Sequence, residues 1–169
     1  MNLRFSLARR WLFTAALVFA SLYTENGALA LAEPAHAAIK TVVMFDATTW
    51  RNLLRSGRRP AAYVFTNSFC ATCPETFDVL QDAVAATGKP VELAAILMDV
   101  QGERALAHAH HYAGVTKIYA FDGFEPAIRQ VVDPKWHNIT PYVVLVGRNG
   151  KLQRVTGQPN ASQLKAWLG

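Results

Sequence analysis

The sequence predicts one α/β domain, a central mixed β-sheet with helices on both faces, behind a short export segment. Three observations carry this. Short apolar runs of strand type alternate with stretches of helical periodicity from residue 39 onward. The chain closes with a strand, a tight turn, a second strand and a capped helix. Finally, 169 residues of which 51% are hydrophobic can fill one core but leave no room for two large domains. The 17% charged residues and two cysteines exclude a highly disordered chain, a disulfide-dense miniprotein and a multispanning membrane protein.

Residues 1–10 hold Arg4, Arg9 and Arg10 and no acid, and residues 11–23 (WLFTAALVFASLY) are free of charge. That run is short for a bilayer span, which needs roughly 17–25 residues, and suits a signal-peptide core. Ala28-Leu29-Ala30 and Ala35-His36-Ala37 are small-x-small cleavage sites. Cleavage after Ala37 is preferred because Ile39 opens the first strand-like run, so residues 1–37 are expected to be a signal peptide and 38–169 the mature domain. An uncleaved anchor is the alternative. Either route puts the domain in the periplasm or another extracytoplasmic compartment, where disulfides can form. Removing residues 1–37 leaves 14 basic and 10 acidic residues. An excess of that size serves solubility and carries no nucleic-acid signature.

The elements follow in order. Ile39–Phe45 reads as a strand or its approach, and Asp46 or Thr48 caps a helix bearing Trp50, Leu53 and Leu54 that ends at Ser56-Gly57. Pro60 breaks the chain before Ala61–Thr66, a short apolar run of buried-strand type. Phe77, Leu80 and Val84 recur at helical spacing until Thr87-Gly88. Val91–Val100 is a longer strand, Glu103–Tyr112 a helix of alanines and histidines, and Val115–Phe121 extended. A short helix follows with Phe124, Ile128 and Val131 on one face. Pro141–Gly147 is the most strand-like run, and Asn149-Gly150 suits a type I′ hairpin turn leading into Lys151–Thr156. Asn160 with Gln163 resembles a capping box for a last helix with Leu164, Trp167 and Leu168.

The chemistry concentrates in Cys70-Ala71-Thr72-Cys73-Pro74, between a strand and a helix. Three residues apart at a helix start, the two thiols fall on nearly the same face and can close a small ring. Unpaired N–H groups and the positive helix end favour thiolate at Cys70, the expected attacking group. Cys73, one turn deeper, is the expected resolving thiol. Pro74 is tolerated because the first turn does not need its N–H. A structural disulfide, a zinc half-site and a haem attachment are the alternatives. The first would close only a tiny loop, the second lacks a further cysteine pair, and the third needs histidine where Pro74 stands. Thr140-Pro141 stands directly before the strand Tyr142–Val146, a position where proline is tolerated; the sequence leaves its isomer open.

Phe65-Thr66-Asn67-Ser68-Phe69-Cys70-Ala71-Thr72-Cys73, followed by Ile139 to Lys151 (ITPYVVLVGRNGK), resembles the thioredoxin-like superfamily. More narrowly it resembles the exported TlpA, ResA and Sco-type branch, over about residues 40–169. The resemblance implies a thioredoxin-like fold, with Cys70 as nucleophile, Cys73 as resolving cysteine, and Pro141 as the cis-proline facing them. It implies that Thr140 offers backbone hydrogen bonds to a bound cysteine-containing segment. Phe69 stands where the family has a tryptophan or another bulky residue, and an extra strand and short helix between Asp99 and Pro141 match insertions of the exported members. Two departures stand out: Ala71-Thr72 lacks the central proline of strongly reducing thioredoxins, and Val64 occupies the strand position of their buried acid.

The expected function is therefore exported thiol–disulfide exchange at Cys70–Cys73. The partners would be cysteine-containing protein substrates and an upstream redox partner, acting on a monomer that needs no cofactor and touches a membrane only if its leader is retained. The alternative is a Sco-like copper-binding or delivery protein that uses Cys70, Cys73 and His137, although Sco-type cysteines are usually three residues apart. His108 and His111 share a helical face and His110 points with Leu106 and Ala113 toward the packed side, a polar helix and a weak metal pair at best. Trp136 is either a rim of the disulfide site or core.

Overall fold

The computed structural model describes residue 39 and residues 41–169; the expected leader and its cleavage site lie outside the described residues. Six strands form one sheet: β1 (Val42–Phe45), β2 (Ala61–Thr66), β3 (Glu92–Leu97), β4 (Lys117–Phe121), β5 (Tyr142–Val146) and β6 (Leu152–Thr156). Their order across the sheet is β1-β4-β3-β2-β5-β6. The first four are parallel to their neighbours, β5 runs antiparallel to β2, and β6 antiparallel to β5. The helices are α1 (Ala47–Ser56), α2 (Cys73–Ala85), α3 (Gly102–Ala107), α4 (Glu125–Val132) and α5 (Ala161–Leu168). This is the thioredoxin-like α/β architecture that the sequence resemblance implies.

β2 explains how the layers form. All six of its residues are buried, and its side chains alternate between two cores. Ala62 and Val64 face Phe77 and Leu80 of α2, Ala105 of α3 and Trp167 of α5. Ala61, Tyr63 and Phe65 face Trp50 of α1 and Ile128 and Val132 of α4. Helices therefore cover both faces, as the alternating pattern requires. The second core is aromatic. Phe65 meets Phe45, Trp50, Phe121 and Trp136 edge-on at centroid distances of 5.1–6.2 Å.

The capping residues behave as expected. Asp46 accepts the Thr49 amide at 2.6 Å, and Asn160 and Gln163 form a reciprocal capping box on α5. Three local expectations need correction. The β5–β6 turn is not type I′, because Asn149 does not have positive φ. Instead Gly150 (φ 79°) follows a turn closed by its own amide on the Gly147 carbonyl, and the Gly147 amide reaches the Lys151 carbonyl. The helix expected over Glu103–Tyr112 stops at Ala107 and continues as a 3-10 turn, Ala109–His111. The tighter winding changes the phase of the side chains. His110 is consequently exposed rather than packed, and Ala105 and Tyr112 are the buried residues. Phe124 caps α4 from outside and is 74% exposed, so Ile128 and Val132 make the buried face. Among the described residues no helix is long and apolar enough to cross a membrane.

Candidate functional site

β2 ends at Thr66, and the loop from Asn67 to Thr72 carries the chain into α2. Two turns shape it: the Cys70 amide donates to the Asn67 carbonyl and the Cys73 amide to the Cys70 carbonyl, each at 3.3 Å. The loop is also tied down from outside. Asp99, just past β3, accepts the Ser68 amide at 2.9 Å and the Ser68 hydroxyl at 2.6 Å. The Asn67 side chain accepts the Phe69 amide at 3.2 Å.

Cys70 and Cys73 form a disulfide with their Cα atoms 5.5 Å apart. The two ends differ in access. Cys73 opens α2 and is fully buried, while Cys70 lies in the preceding turn and is half-buried. The helix thus begins three residues later than a first-turn Cys70 would need, and Cys70 reaches the helix N-terminus through its bond to Cys73. Phe69 beside it is 79% exposed. Val64 lies in the fully buried cluster with Phe77 and supplies no acid behind the disulfide. Thr66, at the end of β2, and Tyr112 are both buried, and the Thr66 hydroxyl donates to the Asn67 carbonyl at 3.3 Å. Burial holds the Tyr112 phenol above its ordinary value.

The proline loop comes from the far end of the sequence. β2 and β5 pair antiparallel with Phe65 opposite Tyr142, and continuing that register sets Thr66 opposite Pro141 and Asn67 opposite Thr140. The side chains agree: the Asn67 amide group donates to the Thr140 hydroxyl at 3.3 Å. The Thr140-Pro141 bond is cis. Pro141 is buried, Thr140 half-buried, and Ile139 before them is 55% exposed. Trp136 settles as core. It is 5% exposed, stacks on Tyr142 at 4.4 Å and donates its indole N–H to the Ile139 carbonyl at 3.0 Å. The Tyr142 hydroxyl donates to Asp133, which also lies 3.7 Å from Arg154. Burial pushes the Asp133 carboxyl up, but the bonds from Tyr142 and the Lys135 amide, with the Arg154 charge, hold it below its ordinary value. Tyr142 is held well above its own, by burial and then by Asp133.

A cavity of about 260 Å³ opens beside the disulfide. It is lined by the loop from Asn67 to Ala71, by Pro74, and by His108, His111 and Tyr112. Cys70 lines it and Cys73 does not. His137, the histidine expected near the thiols, is exposed and does not line it either. Among the described residues no group of three or more His, Cys, Asp and Glu side chains is arranged to hold a metal ion. His137 is therefore not assembled with Cys70 and Cys73 into a three-ligand set. The sequence did not single out Asn67, Ser68, Asp99 or Tyr112. Their roles depend on register and loop packing, and no local motif signals them.

No protein-family model and no curated protein matches the chain. Solved structures resemble it in part. One is a secreted Mycobacterium tuberculosis disulfide oxidoreductase homologous to DsbE of E. coli, at 17% identity and a TM-score of 0.46 over 63% of this chain and 81% of that one. A thio-disulfide isomerase from Thermus thermophilus is similar at 23% identity and a TM-score of 0.44, over 64% and 76%. StoA from Bacillus subtilis is similar at 19% identity and 0.41, over 63% and 80%. At these scores the likenesses bear on neither activity nor substrate, and the chemistry rests on the site.

Proposed function

We propose that the protein is an exported thiol–disulfide oxidoreductase, of the general kind of the TlpA, ResA and Sco-type branch, that exchanges the Cys70–Cys73 disulfide with cysteines of protein substrates. One observation carries the reading: a disulfide at the mouth of a cavity, with one sulfur-bearing residue accessible and the other sealed in the first turn of α2. A thiolate entering the cavity meets Cys70 first. Its attack forms a mixed disulfide with Cys70 and releases Cys73 as thiolate, beside unpaired N–H groups of the helix start. A second substrate thiolate then attacks the mixed disulfide and leaves the dithiol, so two electrons pass from substrate to protein. The reverse sequence reduces a substrate disulfide, and an upstream redox partner restores whichever state is consumed. Thr140, tied to the cysteine loop through Asn67, is well sited to align the incoming segment.

The test uses the reduced protein. Cys73→Ser should accumulate a mixed disulfide through Cys70 with a disulfide-containing protein, because attack proceeds and resolution does not, and Cys70→Ser should form none. Adducts on Cys73 in the Cys70→Ser variant would overturn the assignment of roles. The leader belongs to the same reading. The exported form should begin near Ala38, and N-terminal sequencing that found Met1 would replace cleavage with an anchor.

A further inference from the structure

The thiol that attacks Cys70 must first lose its proton, since the thiolate is the nucleophile and an ordinary cysteine has a pKa of about 8.5. Near neutral pH only a few per cent of it is ready. The lining of the cavity beside Cys70 supplies groups that can take that proton. Among the described residues that line the cavity, the ionisable side chains besides Cys70 are His108, His111 and Tyr112; no carboxylate, lysine or arginine does so. Tyr112 is held protonated by burial and does not serve as a base near neutral pH. An imidazole can serve, because histidine as a residue type changes charge in this range.

We propose that His108 and His111 form a proton-accepting pair for the thiol that approaches Cys70. The inference rests on the exchange activity proposed above. Their ring centroids are 5.8 Å apart, and both rings line the cavity through which Cys70 is reached. His108 is half-buried and His111 exposed at the rim. In the exchange step the incoming thiol gives its proton to a neutral imidazole and its sulfur bonds to Cys70 Sγ. The Cys70–Cys73 bond breaks and Cys73 leaves with the electron pair. In the reverse direction the imidazolium returns that proton to the departing thiolate.

The surroundings of His111 favour its neutral form. Partial shielding of its ring, and then repulsion from His110 and His108, hold His111 below its ordinary value. The His110 and His111 rings are 3.8 Å apart. The other ionisable side chain lining the cavity beside the pair is Tyr112, and the carboxylate whose charge reaches Tyr112, Asp99 after β3, is occupied by Ser68 on the cysteine loop.

The test follows the rate at which a synthetic peptide with one cysteine opens the disulfide of the full-length protein, from pH 5 to pH 9, by acid quench and mass spectrometry. The wild-type rate should climb with pH through the imidazole range and then level off until the peptide thiol itself ionises. The His108→Gln, His111→Gln double variant should lose the break and run at least tenfold slower at pH 6.5, yet converge with wild type at pH 9, where thiolate is already formed. His110→Gln should move the break to higher pH, because one source of repulsion is gone. A variant slowed by the same factor at every pH, or profiles that superimpose, would overturn the proton role and leave the exchange activity standing. A wild-type disulfide that does not react even at pH 9 would overturn both.

Discussion

Tyr142 and Asp133 form the charge-assisted hydrogen bond that holds the segment leading into the proline loop, with Trp136 stacked between the loop and the aromatic core. The sign of its pH dependence follows from Asp133, whose carboxyl sits below its ordinary value of 3.8 in the folded protein. The unfolded chain binds the proton more readily. The stabilisation is therefore complete above the ordinary value and is lost as pH falls through the lower folded one. Asp133→Asn should lower stability at pH 7 by about 1.5–3 kcal/mol, the worth of a hydrogen bond to a charged group. It should also flatten the acid limb of the stability curve below about pH 4. Urea unfolding at pH 7 and at pH 3 measures both; an unchanged acid limb would remove Asp133 from the account.

β2 and the β5–β6 hairpin are the elements on which the site depends, since together they bring Thr140 and Pro141 to the cysteine loop. Phe65 is the residue of β2 with most to lose. Its fully buried ring meets Phe45, Trp50, Phe121, Trp136 and Tyr142. Phe65→Ala should cost about 3–5 kcal/mol, by lost transfer energy and the cavity left behind. In the hairpin, Gly150 holds φ at 79°, and a Cβ there would come within 2.6 Å of Arg59 Nη1. The flexible end of Arg59 can move aside, but the left-handed backbone remains. Gly150→Ala should cost about 1–2 kcal/mol in chemical denaturation. A variant as stable as wild type would mean that the turn is free to change its conformation.

For the whole molecule the question is whether the disulfide holds the fold or only works on it. The bond joins residues three apart, and closing a loop that small restricts the unfolded chain by no more than about 2 kcal/mol. The two cores on either side of the sheet do not depend on it. Reduction should therefore leave a folded protein whose melting temperature falls by no more than roughly 10 °C. Circular dichroism melts with and without dithiothreitol decide this, and a reduced protein that is unfolded at 25 °C would make Cys70–Cys73 a structural bond.

Much of this was legible in the residues. Periodicity identifies Ala61–Thr66 as a buried strand to its last residue, because a central strand covered on both faces must be apolar throughout. Asp46 and Asn160 mark helix starts, because capping is a contact over three residues. The spacing of Cys70 and Cys73 at the head of α2 announces their pairing for the same reason of short range. The misreadings arise where local preference competes with packing. Asn149-Gly150 has the composition of a type I′ turn but closes a three-residue loop, and the histidine helix tightens after Ala107, which turns His110 outward. What no local pattern could contain is the meeting of segments distant in sequence. Asn67 reaches Thr140 across 73 residues, Asp99 anchors Ser68 across 31, and His108 and His111, not His137, line the cavity that Cys70 lines. Those neighbours are set by strand order and register, which depend on how every apolar face is buried at once.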